Sequence, residues 1–203
     1  MKTSRSRSRI LLAAFALLLN GGAIAATPAT RHLYMDVHDL DSVTAEAVAG
    51  AHQKDLAVQD QYGVDFIRYW VDEENAKVYC LAEAPNAGAV SEAHAHAHGL
   101  VPQSVHQVTA GTEVPEISEM DLYLDVHRVG AGKVTPEDVA QAHEKDLAVQ
   151  GNHDVRFINY WVDPSSGDIF CLSEAPSAEA VLATHREAHG LVSDEIAKVT
   201  EGK

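Results

Sequence analysis

"LYMDVH" at Leu33–His38 returns almost unchanged as "LYLDVH" at Leu122–His127. Apolar and polar side chains alternate through both, the period of a strand with unlike faces. Leu33, Met35 and Val37 share one side, and Tyr34, Asp36 and His38 share the other. With the apolar side assigned to covering helices, the other side is left open. It carries an acid and a histidine and needs a partner.

The surrounding sequence supplies that partner, because the whole segment is duplicated. "AHQKDLAVQ" (Ala51–Gln59) recurs as "AHEKDLAVQ" (Ala142–Gln150), and "VDFIRYWVD" (Val64–Asp72) as "VRFINYWVD" (Val155–Asp163). "YCLAEAP" (Tyr79–Pro85) recurs as "FCLSEAP" (Phe170–Pro176), and "HGLV" begins at both His98 and His189. The offset is 89 at the first block and 91 afterwards, so copy two carries a two-residue insertion before its first helix. Copy one spans 31–110 and copy two 120–203, with an acidic linker at 111–119, in the stretch "AGTEVPEISE".

Within a copy, the strand is followed by a helical stripe, Ala45–Val48–Ala49–His52–Leu56. Thr44 is a candidate N-cap; in copy two Thr135 precedes Pro136, a favoured first helical residue. "VDFIRYWV" and "KVYCLAE" are rich in β-branched and aromatic residues around a polar turn and predict a hairpin. A second helix runs from Asn86 to His98, stopped by Gly99, and from Ser177 to His189, stopped by Gly190. "SVHQVT" and "EIAKVT" read as final edge strands. The order β-α-β-β-α-β, twice, predicts two ferredoxin-like α+β domains in tandem. They are expected to pack sheet to sheet as an intrachain pseudo-dimer, bringing Asp36 and His38 near Asp125 and His127.

The N-terminus predicts export. Lys2, Arg5, Arg7 and Arg9 precede an apolar run, Ile10–Leu19, and small residues, Ala23–Ala25, as in a secretory signal peptide over 1–25. A periplasmic or secreted protein is the expectation. Cleavage removes four positive charges and no negative ones, so the formal charge of −15 falls to −19. Such a chain is not expected to bind nucleic acid or an anionic membrane surface through charge, but will attract cations.

Of the 12 histidines, four positions are kept in both copies: His38/His127, His52/His143, His94/His185 and His98/His189. His94 and His98, like His185 and His189, lie four apart and share a helix face, as metal ligands do. The other reading is capping of the helix end, where positive charge is favoured. His96 points away, and its counterpart is Glu187. His52 and His143 fall on an apolar stripe, where a buried structural histidine competes with a ligand; Asp55 and Asp146, three residues on, are placed to orient the ring. Glu83 and Glu174 end a strand before proline and are weaker candidates. Cys80 and Cys171 sit mid-strand at matching places, readable as buried thiols, ligands or a disulfide. Free thiols are expected, since bridging needs Cα atoms within about 7 Å. No nucleophile elbow, P-loop, dinucleotide loop or H-E-x-x-H motif is present.

Copy two in particular, through "LYLDVHR", "AHEKDLAVQ", "VRFINYWVDPSSGDIFCLSEAPSAEAV" and "THREAHGL", resembles the small nickel-binding, ferredoxin-like proteins formerly catalogued as a domain of unknown function. The resemblance implies a dimer-like assembly with metal at and near the interface. It makes Asp125, His127, His143, His185 and His189 ligand candidates, with Asp36, His38, His52, His94 and His98 in copy one. Copy one departs at "NAGAVSEAHAHAH", which implies an altered site. Copper and zinc suit the same donors as nickel. The implied function is metal buffering, carriage or sensing without catalysis. The alternatives are a small monooxygenase-type enzyme, favoured by a helix–sheet pocket lined by His52, Tyr69 and Trp70, or an interaction module.

Overall fold

The computed structural model describes residues 30–115 and 119–203. The predicted signal peptide and residues 116–118 of the linker lie outside the described residues. Copy one contains β1 (His32–Asp39), α1 (Ala45–Tyr62), β2 (Asp65–Asp72), β3 (Lys77–Ala84), α2 (Ala87–Ala97) and β4 (Ser104–Ala110). Copy two contains β5 (Asp121–Arg128), α3 (Pro136–Val149) and a 3-10 turn at Gln150–His153. Then follow β6 (Arg156–Asp163), β7 (Asp168–Ala175), α4 (Ala178–Ala188) and β8 (Glu195–Gly202).

The helices begin where side-chain acceptors stand ready. Thr44 accepts from Ala47 N, and Asn86 and Ser177 accept from Ala89 N and Ala180 N. Thr135 and Asp138 form a reciprocal capping box ahead of α3. No helix among the described residues is long and apolar enough to cross a membrane.

The strands close into one barrel in the order β1-β3-β2-β8-β5-β7-β6-β4. Two seams join the copies: β2 with β8 (Tyr69 opposite Gly202) and β4 with β6 (Ala110 opposite Trp161). The linker prolongs the second seam, with Gly111 N donating to Tyr160 O at 2.8 Å and Val114 N to Ile158 O at 2.8 Å. Both seams end with a glycine over a tyrosine ring of the other copy. A Cβ on Gly111 would lie 2.3 Å from Tyr160, and one on Gly202 2.1 Å from Tyr69. Only hydrogen fits at such an approach.

Two sequence expectations are corrected here. The terminal strands β4 and β8 are not edges, because each is paired on both sides. The faces of β1 and β5 are also the reverse of the expectation. Met35, Leu124 and Val126 point into the barrel, in a shared core with Trp70, Tyr79, Trp161, Phe170 and Leu172. Tyr34 packs instead with Val90 and Ala93 of α2, and Asp36 reaches His94 of the same helix. Asp36/His38 and Asp125/His127 therefore face their own helices rather than each other. The physical reason is that both faces of β1 are covered: Tyr34 is 4% exposed, Met35 0%, Asp36 0% and His38 5%. The space enclosed by two sheets must be filled with large apolar side chains. The small-residue faces of α2 and α4 leave room for a polar cluster beneath them.

Candidate metal centre

Within each copy the β1 or β5 strand, the long first helix and the short second helix converge on one buried cluster. The antiparallel register sets Asp36 opposite Cys80 and Asp125 opposite Cys171, and each pair faces the helices. Helical spacing stacks His94 over His98 and His185 over His189, with ring centroids 5.3 and 5.4 Å apart. Asp55 on α1 and Asp146 on α3 complete the cluster.

Acid and imidazole alternate along a chain of contacts. His38 Nε2 lies 3.2 Å from Asp36 Oδ1, and Asp36 Oδ2 lies 3.4 Å from His94 Nε2. His94 Nδ1 lies 3.0 Å from Asp55 Oδ1, which lies 3.1 Å from His98 Nε2. In copy two, Asp125 Oδ2 lies 3.1 Å from His127 Nε2 and 3.3 Å from His185 Nε2. His185 Nδ1 lies 3.0 Å from Asp146 Oδ1, which lies 3.2 Å from His189 Nε2. The order in both is His–Asp–His–Asp–His.

The electrostatics follow from burial and pairing. Burial alone would raise the carboxyls, but the facing imidazoles outweigh it and hold Asp36, Asp55, Asp125 and Asp146 below the usual range. Burial alone would depress the central histidines, yet two carboxylates apiece raise His94 to about 9 and His185 to about 10. Burial, together with the nearby acids, pushes the Cys80 and Cys171 thiols well up.

The donor set fits a borderline divalent cation. Asp36, His38, Cys80 and His94 each bring a donor atom within 4.8 Å of the others, as do Asp55, His94 and His98. Copy two repeats this with Asp125, His127 and Cys171, and with Asp146, His185 and His189. Several of these atoms are buried without an aligned hydrogen bond: Asp36 Oδ1, both Asp125 oxygens, His127 Nδ1 and His185 Nε2. Some are close to a partner yet not directed at it, so their lone pairs are not consumed by hydrogen bonding. Imidazole nitrogen with carboxylate oxygen suits nickel, copper and zinc; an adjoining thiol adds a soft donor that a metal would deprotonate.

Other sequence candidates fall elsewhere. His52 and His143 are not in these groups; their rings pack 4.9 and 4.8 Å from the rings of Tyr69 and Tyr160. Burial lowers both histidines, favouring the neutral ring. Asp55 and Asp146, expected to orient those rings, bond instead to the histidines of the second helix. Glu83 is exposed, and Glu174 pairs with Arg156 at 3.1 Å, away from the cluster. Cys80 and Cys171 are free and buried. His96 turns outward to Tyr62 Oη at 3.1 Å. His106, unmatched in copy two, links the copies at one barrel end, with Nδ1 3.1 Å from Asp163 Oδ2 and 3.4 Å from Asp168 Oδ2.

Each cluster forms the floor of a cavity between helices and sheet. The first, about 150 Å³, is walled by Leu40, Val43, Val48, His52, Tyr69 and Leu100, with His38, His94 and His98 below. The second, about 230 Å³, has the matching residues Val129, Val134, Val139, His143, Tyr160 and Leu191 over His127, His185 and His189. Trp70, expected to line the pocket, faces the barrel interior.

A protein-family model described as nickel responsive protein SCO4226-like matches twice, over residues 34–108 and 123–199. No curated protein matches the chain. Among solved structures, SCO4226 from Streptomyces coelicolor A3(2) is 48% identical, covering 38% of this chain and 93% of its own, with a TM-score of 0.36. A mutant chlorite dismutase from Candidatus Nitrospira defluvii is 7% identical over 85% of this chain and 91% of its own, with a TM-score of 0.51. The same enzyme in complex with imidazole gives 8%, 86%, 92% and 0.50. The dismutases share the fold alone. With the repeat, the topology and both family matches in agreement, the chain belongs to the SCO4226-like nickel responsive protein family and carries that family's domain twice in tandem.

Proposed function

We propose that the protein is an exported metal-binding protein that takes up nickel, or a similar divalent ion, in each half and acts as a buffer or carrier. The observation that carries this reading is the His–Asp–His–Asp–His chain, repeated with the same spacing in both copies. Asp36, His38, His94, Asp55 and His98 would hold metal in the first half, with Cys80 alongside. Asp125, His127, His185, Asp146 and His189 would do so in the second, with Cys171 alongside. Bound there, the ion supplies positive charge to a carboxylate-rich site. The protein's own groups set orientation: Asp55 and Asp146 each fix two imidazoles.

The test is titration of the chain lacking residues 1–25, without a histidine tag, with nickel, copper and zinc in turn. Uptake by the wild type, halved in Asp55→Asn and again reduced in the double variant with Asp146→Asn, supports the reading. Unchanged uptake in the double variant refutes it.

A second reading is a small enzyme, favoured by one observation: a cavity with His52 and Tyr69 in its wall lies beside the donor cluster. Turnover of small organic substrates by metal-loaded protein, lost in His52→Ala with His143→Ala, would establish it.

A further inference from the structure

In each half one histidine stands between two donor groups, and its two ring nitrogens face different ones. His94 Nδ1 lies 3.0 Å from Asp55 Oδ1 and 3.2 Å from His98 Nε2, and those two atoms lie 3.1 Å apart. All three residues line the first cavity. On the other edge of the same ring, His94 Nε2 lies 3.4 Å from Asp36 Oδ2, with His38 and Cys80 completing a second, deeper group. The second half repeats the arrangement. His185 Nδ1 lies 3.0 Å from Asp146 Oδ1, which lies 3.2 Å from His189 Nε2. His185 Nε2 lies 3.3 Å from Asp125 Oδ2, beside His127 and Cys171. The cluster atoms that lack a hydrogen-bond partner belong to the deeper side of each ring: Asp36 Oδ1 in one half, and both Asp125 oxygens, His127 Nδ1 and His185 Nε2 in the other.

We propose that His94 and His185 each bind two metal ions at once, as an imidazolate bridge between an inner and an outer site. This rests on the metal-binding reading above and deepens it. In the first half the inner ion is held by Asp36, His38, Cys80 and His94 Nε2, and the outer ion by Asp55, His98 and His94 Nδ1. The two nitrogens of an imidazole point apart, so a single ion cannot take both. An imidazole bound on both sides has released both its protons to solvent and carries one negative charge. With Asp36, Asp55 and a Cys80 thiolate it supplies four negative charges, which two divalent ions cancel. The cluster is then buried without net charge, and the same count holds for Asp125, Asp146, Cys171 and His185. The simpler arrangement puts one ion in the outer triangle and leaves the inner acid only to orient the ring. An orienting acid accepts a directed hydrogen bond from that ring. In the second half His185 Nε2 and both Asp125 oxygens are buried with no such bond, so a further ligand is needed there.

Cobalt(II) is the probe, added without oxygen to the chain lacking residues 1–25. It is paramagnetic, and a near-ultraviolet charge-transfer band reports a thiolate bound to it. At saturation the wild type is expected to take up two ions per half and to show the thiolate band. Its magnetic moment per cobalt should lie below that of isolated ions, because an imidazolate couples the spins it joins. His98→Ala with His189→Ala removes a ligand from the outer sites only. That variant should halve the uptake, keep the thiolate band and restore the moment of isolated ions. One ion per half in the wild type, two whose moments are independent, or loss of the thiolate band with the outer histidines overturns the bridge and leaves the metal reading intact. Failure of cobalt and nickel alike to bind overturns both.

Discussion

Asp55 Oδ1 lies 3.0 Å from His94 Nδ1, so a single carboxylate on α1 fastens the buried end of α2. The same oxygen lies 3.1 Å from His98 Nε2. One acid thus sets the orientation of two imidazoles a helical turn apart, and Asp146 does the same for His185 and His189.

Asp55→Asn preserves the shape but removes the charge. Nickel affinity in the first half is expected to fall about 10–100-fold, as when a ligand-orienting carboxylate is lost. The second half should be unaffected. Site-resolved titration, with Asp146→Asn as the mirror experiment, checks both statements.

Metal uptake should release protons at neutral pH. The facing carboxylates outweigh burial and hold His94 protonated up to about 9 and His185 up to about 10. A metal must displace those protons, so affinity should rise with pH and level off above this range. Proton release on adding nickel to weakly buffered protein measures the effect. Uptake at pH 7 without acidification would contradict the assignment.

The metal-free protein should lose stability at both ends of the pH scale. His94 and His185 are raised from 6.5, so their contribution is full below that value and fades as pH climbs through about 9 to 10. Asp36, Asp55, Asp125 and Asp146 are lowered from 3.8, so theirs is present above that value and lost as pH falls. Thermal melts across pH, with metal chelated, should show a plateau between these limits.

The seam glycines can be tested against a helical one. Gly202→Ala and Gly111→Ala drive a methyl into Tyr69 and Tyr160 and should each cost about 1–3 kcal/mol. Gly50, within α1, has nothing within 4 Å of an added Cβ. Gly50→Ala should instead stabilise by about 0.5–1 kcal/mol. Urea unfolding of the three variants separates the cases.

Thiol titration should find both cysteines only after unfolding. In the folded chain Cys80 and Cys171 are buried and their thiols pushed well up, so reaction with a water-soluble disulfide should be slow. Fast labelling of the native protein would show that the cavity admits the reagent.

The repeat and the element order were legible because hydrophobic period and turn residues report local structure directly. The direction in which β1 faces was not. Alternation in "LYMDVH" says that two faces differ, but both are covered, and only the barrel tells which layer takes Met35 and which takes Asp36. The pairing of His94 with His98 could be read from helical spacing. Its link to Asp55 could not, because that contact crosses 39 residues and depends on how two helices meet. His106 has no counterpart in copy two, so the repeat does not single it out, and its tether between the copies through Asp163 depends on how the strands close the barrel.

Closing the barrel within one polypeptide has an evolutionary consequence. In an assembly of identical subunits, every substitution appears at both sites at once, so the sites cannot specialise. Here a mutation touches one site alone, while the covalent tie keeps the halves together at any dilution. Ser42 facing one cavity and Lys133 the other is what such freedom permits. A single molecule thereby carries two matching clusters whose surroundings are free to diverge, in fixed one-to-one proportion.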